Sequence, residues 1–172
     1  MPSRDKLVRI AVYAALAIGL YTVDNLLPLP LPWLRLGVGN LGIVLALMDV
    51  GALGAIAVFF LKLLLGSIVA GRFLTPFFFF ALAGGVLGLG AMIAIKTLGR
   101  GFFSAVGISC AGGVFHNIGQ LLVARFLLIP SSGLWLLAPI VVLFGVISGT
   151  FIGILARLVQ LRLRGMEAVG LD

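Results

Sequence analysis

Residues 51–69 read GALGAIAVFFLKLLLGSIV, an apolar run broken by a single ionisable side chain, Lys62. A helix needs about 20 predominantly apolar residues to cross the hydrocarbon core of a bilayer, and this run has that length and character. The rest of the chain repeats the pattern. Residues 7–27, 74–96, 103–127 and 134–157 are comparable stretches, and a shorter one covers 38–49. Between them lie turn-forming segments: PLPLPWLR (28–35), Ala70-Gly71-Arg72, LGRG (98–101) and PSSG (130–133). Pro28, Pro30 and Pro32 stand at alternate positions, which precludes helix and favours an extended loop.

Composition agrees with this reading. The 172 residues are 62% hydrophobic and 10% charged, with a mean hydropathy of +1.30. Soluble domains are about 45–50% apolar and about 25% charged, so no soluble fold of this size hides so much apolar surface. A soluble enzyme, a nucleic-acid-binding domain, a secreted disulfide scaffold and a disordered tail are excluded. The expectation is an all-α, polytopic integral membrane protein: a single domain of six transmembrane helices over residues 1–165, with 166–172 a short C-terminal tail. The basic N-terminus leads into an apolar run with no small-residue cleavage site, so residues 7–27 read as helix one and not as a signal peptide. Cys110 is the single cysteine and forms no intramolecular disulfide.

The net charge is +7. A nucleic-acid patch would need a solvated face, and none is available, so topology explains the excess better. Arg4, Lys6, Arg9, Lys96, Arg100, Arg157, Arg162 and Arg164 gather on one side of the predicted spans, against Arg35, Arg72 and Arg125 on the other. Eight against three puts both termini in the cytoplasm. Trp33 and Trp135 read as interfacial belt residues, with Trp33 also placed to cover a pocket.

Small residues recur four apart at Gly84 and Gly88, at Gly145, Gly149 and Gly153, and at Ala11, Ala15 and Gly19. Such stripes let helix backbones approach closely. In helices four and six this reads as packing within the bundle. In helix one, packing and reception of a partner helix fit equally well.

Ionisable groups at membrane depth are costly, about 2.5–3.5 kcal/mol on insertion scales, so each needs a reason. Lys62 lies too deep to snorkel comfortably, and either pairs with an acid or meets an anionic substrate. His116, Asn117 and Gln120 cluster near the middle of helix five; His116 and Gln120 share a face one turn apart, and Asn117 lies about 100° round. All three donate and accept hydrogen bonds, as suits a polar ligand. Arg35, Arg72 and Arg125 either anchor the interface or join Lys62 around a positive cavity opening outward. There is no nucleotide-binding loop, no carboxylate pair spaced to hold magnesium on a diphosphate, no metal-ligand spacing of His or Cys and no nucleophile dyad. No enzyme activity, cofactor or metal is expected.

LRLGVGN (34–40), Gly84-Gly85 and VGISCAGGVFHNIGQ (106–120) resemble the small membrane proteins named Gx transporters or heptaprenyl diphosphate synthase component I. The resemblance covers nearly the whole chain. Its most specific pattern falls on Gly107, Ser109, Gly112, Gly113, His116, Asn117 and Gln120. Arg35 stands where the family usually has Lys, Asn40 keeps its Asn, Asp24 replaces a common glutamate, Lys62 a frequent Arg, and Ala81 a Ser. That family is in turn similar to the substrate-binding S components of energy-coupling factor transporters. The similarity implies six helices with both ends cytoplasmic in the inner (plasma) membrane of a prokaryote, and a first loop that closes over an outward-facing site. It also implies a docking stripe, here Ala11 and Ala15, for a transmembrane coupling protein that works with two ATPase subunits.

The expected function is therefore capture of a small, anionic or amphipathic molecule, resembling a vitamin or an isoprenoid or quinone precursor. Its site would use Arg35, Asn40, Lys62, Arg72, His116, Asn117 and Gln120. The alternative is a non-catalytic membrane accessory subunit of an isoprenoid (heptaprenyl diphosphate) or quinone biosynthetic enzyme. A solitary channel or facilitator is a third reading.

Overall fold

Lipid offers no hydrogen-bond partners to a peptide backbone, so long apolar runs in it satisfy their own N–H and C=O groups as helices. The computed structural model describes residues 4–26, 37–99 and 101–169. Six helices follow in order: α1 (Arg4–Leu26), α2 (Asn40–Asp49), α3 (Ala52–Val69), α4 (Pro76–Leu98), α5 (Ala105–Val123) and α6 (Ala138–Val169). A π-helical turn, Ala124–Leu128, extends α5, and a 3-10 segment, Ser132–Leu137, leads into α6. Five of these units are long and apolar enough to cross a membrane, and α2 is the exception. The protein is a helical membrane bundle, with no strand among the described residues.

Local chemistry explains several boundaries. Thr75 is extended and Pro76 opens α4, where its missing N–H is harmless. Ser104 caps α5 by accepting from the Gly107 amide at 3.3 Å. The Gly37–Asn40 turn that starts α2 has Gly37 at φ +70°, a conformation L side chains rarely adopt.

Two expectations about length are corrected. The sixth helix was expected to end near 157 and 166–172 to be a tail, but the helix continues to Val169. Beyond the apolar part its residues are mainly Leu, Arg, Gln, Met, Glu and Ala, all good helix formers, and Gly165 alone does not stop it. The second span is shorter than 38–49 and is only about 15 Å long, half of what a bilayer core requires.

That short helix sits at the centre. Leu41 through Leu47 are all buried, and α2 contacts α1, α3, α5 and α6. A helix apolar all round belongs inside a bundle. Glycines let it approach α1: a Cβ at Gly42 would lie 2.4 Å from the Tyr13 carbonyl oxygen. The far end of α2 is tied down where α1 begins. Asp49 accepts from Arg9 and from the Tyr13 hydroxyl, each at 2.8 Å, and Lys96 of α4 donates to the Leu47 carbonyl.

The stripes of helices four and six pack the bundle. A Cβ at Gly149 would meet the Ser109 carbonyl oxygen at 2.6 Å, and one at Gly145 the Gly113 carbonyl oxygen at 2.8 Å. Gly84 and Gly88 stand equally close to His116 and Gly112, so α4, α5 and α6 touch backbone to backbone. On α1, Ala11, Ala15 and Gly19 all face outward, and nothing lies within 4 Å of a Cβ built on Gly19.

Candidate functional site

Because α2 begins half-way through the bundle, its first residue meets side chains from the middle of the long helices. Asn40 Oδ1 accepts from Lys62 Nζ at 2.7 Å. Lys62 lies about 10 Å from the nearer end of α3, and only 4% of its surface is exposed. Its ammonium also stands 5.8 Å from the centre of the Tyr21 ring, within cation–π range. Buried Asp24 on α1 is near enough to act on it electrostatically and accepts from the Gly37 amide at 2.9 Å. The open choice between an acid and an anionic substrate is thus partly answered: Lys62 has a neutral hydrogen-bond partner and a carboxylate within electrostatic reach.

These groups surround a small chamber with about 30 Å³ of free space, room for about two waters. Helix α1 contributes Tyr21, Asp24 and Asn25, the turn before α2 contributes Gly37 and Gly39, and Asn40 follows. Lys62 and Arg72 come from α3 and the loop after it, Phe77, Phe80 and Ala81 from α4, and His116 and Gln120 from α5. Arg72 is half-buried, its guanidinium carbon 4.5 Å from the centre of the Phe77 ring. With Lys62 and Arg72 against Asp24, the lining carries an excess of one positive charge. The N-terminus of α2, the positive end of its dipole, adds to that field.

His116 and Gln120, one turn apart on α5, bond to each other through Nε2 atoms 3.1 Å apart. The Gln120 carbonyl oxygen is buried and has no partner among the described residues. Reversing the amide would pair the oxygen and leave the NH₂ group without one, so in either orientation Gln120 has a group to offer.

Of the seven residues expected at the site, the structure brings Asn40, Lys62, Arg72, His116 and Gln120 around one chamber. Asn117 does not line it. Its Nδ2 donates to the Val141 carbonyl at 3.0 Å, an interhelical bond to α6 that follows from its position about 100° from His116. Arg35, Trp33 and the PLPLPWLR loop lie outside the described residues. Arg125 sits on the π-helical turn near Phe126 and is not part of the lining, and Trp135 is exposed. Tyr21, Asp24 and Asn25 were not expected at the site. Their three- and four-residue spacing at the end of helix one was the available signal.

No curated protein and no solved structure matches the chain. A family model described as heptaprenyl diphosphate synthase component I matches residues 13–159, from α1 into α6 and well over half of the chain. That range takes in α2 with its central position, the α4–α5 glycine contacts and every lining residue of the chamber. The protein belongs to the heptaprenyl diphosphate synthase component I family.

Proposed function

We propose that the chain is the substrate-binding subunit of an energy-coupling-factor-type uptake transporter, and that the chamber takes a small anionic or amphipathic molecule. The observation that carries this reading is the chamber itself: two cations against one carboxylate, at membrane depth, with an unpaired amide group of Gln120 beside them. Buried polar groups are ordinarily paired, and an exception at a cavity marks a place for a ligand or water. The chain acts as a binder and not as an enzyme.

In this reading both termini are cytoplasmic, in the inner (plasma) membrane of a prokaryote, and the chamber opens outward. The exposed face of α1 with Ala11 and Ala15 docks a transmembrane coupling protein, which works with two ATPase subunits. Substrate binding in detergent tests the site. The His116→Ala/Gln120→Ala double variant should bind the transported molecule at least about tenfold more weakly than wild type. Equal affinity would remove the assignment.

The family's name favours a second reading, in which the chain is a non-catalytic membrane subunit of an isoprenoid or quinone biosynthetic enzyme. Affinity purification separates the two. Co-purifying ATPases and a transmembrane protein support transport, and a co-purifying soluble prenyl synthase supports the accessory role.

A further inference from the structure

Lys62 has more hydrogen-bonding capacity than the protein around it uses. An ammonium offers three N–H donors, and among the described residues Lys62 donates one hydrogen bond, to the neutral Asn40. The guanidinium of Arg72 lies over the Phe77 ring and donates no hydrogen bond among the described residues. Both groups line the same chamber. A buried ammonium with unused donors is costly, and a second cation lining the same space adds to that cost. What the chamber lacks is negative charge, and its size limits what supplies it. The free space of about 30 Å³ has room for about two waters. A polyatomic oxyanion such as phosphate or sulfate exceeds that room. A halide is little larger than a water molecule and accepts hydrogen bonds from every side.

We infer that the chamber holds a resident monovalent anion of halide size, chloride in ordinary salt, against Lys62 and Arg72. The remaining space takes a water at the amide group of Gln120 that has no protein partner. The ion balances the excess of one positive charge in the lining, and so offsets the cost of two like charges facing one space. This rests on the proposed reading of the chamber as an anion site, and assigns its occupant before any transported molecule arrives. An anionic substrate enters by exchange for the halide, with the chamber walls parting to admit it, so chloride competes with substrate binding.

Halide titration of the purified protein in non-ionic detergent tests the inference. The protein is exchanged into sodium gluconate, whose anion is too large for the chamber, and titrated with sodium chloride at constant ionic strength. Chlorine NMR linewidth and thermal unfolding are the readouts. Wild type should broaden the chloride resonance, and bromide should reverse the broadening by competition. Chloride should also raise the unfolding midpoint, as a ligand of the native state does. Lys62→Met should lose both responses, and Arg72→Gln should need about tenfold more chloride for the same rise. Arg72 is half-buried and lies outside the helices, so its variant keeps the test decisive if Lys62→Met does not fold. Wild type with neither broadening nor stabilisation overturns the resident ion. A chloride response that both variants keep in full places the ion elsewhere on the protein and also overturns it. Neither result removes substrate binding at the chamber, which the His116→Ala/Gln120→Ala comparison reads separately.

Discussion

Lys62 and Asn40 carry most of the chemistry at the residue scale, because a cation at that depth persists only with partners. Its partners leave room for an anion, since Asn40 is neutral and Arg72 adds a second positive charge nearby. Lys62→Met should therefore weaken binding of an anionic ligand by more than about tenfold, consistent with the roughly 1.5–3 kcal/mol of a hydrogen bond to a charged group. Equilibrium binding in detergent checks it. Asn117→Ala should act on stability, lowering it by about 0.6 kcal/mol through loss of the bond to Val141; unfolding in mixed micelles measures that. Much of this site was legible from residues alone. Lys62 stood alone in an apolar run, and His116 and Gln120 shared a helical face. The direction of Asn117 was not legible, because a 100° rotation decides between chamber and α6 only once the neighbours of α5 are known. Asp24 and Tyr21 join the site because α2 begins so deep, which the apolar run 38–49 did not reveal.

At the scale of elements, glycines set how closely the helices approach, and they fall into two groups. Gly149 of α6 lies against the backbone of Ser109 and Cys110, where a Cβ would be 2.6–3.0 Å from atoms with little freedom to move. Gly149→Ala should cost about 1–3 kcal/mol and separate α5 from α6. Gly90 of α4 has nothing within 4 Å of the same added atom. Gly90→Ala should be stabilising, by about 0.5–1 kcal/mol, through helix propensity alone. Thermal unfolding of the two variants in one detergent compares them directly, and opposite signs are expected. The four-residue spacing correctly marked helices four and six as close-packed. Spacing gave no means of separating Gly90 from Gly88, since only the neighbouring helix distinguishes them. The length of α6 was hidden for a related reason: hydropathy ends where the lipid ends, while helix-forming residues continue to Val169.

For the whole molecule, membrane residence and a helical bundle followed from composition and run length, and five helices long and apolar enough to cross a membrane agree with both. A central half-length helix, packed against α1, α3, α5 and α6, brings its first residue, Asn40, to Lys62. The open face of α1 is the other feature of this scale, with Ala11, Ala15 and Gly19 exposed in one row. Ala15→Leu touches no core residue and should change stability by less than about 0.5 kcal/mol, while reducing recovery of co-purifying membrane partners. Retained partners would assign that face to lipid. The most direct test of the central claim is native mass spectrometry of gently purified protein, wild type beside Lys62→Met/Gln120→Leu. A bound small anionic molecule on wild type, absent from the double variant, is the predicted result. The same bound molecule on both proteins, or none on wild type, would contradict a ligand chamber built on Lys62 and Gln120.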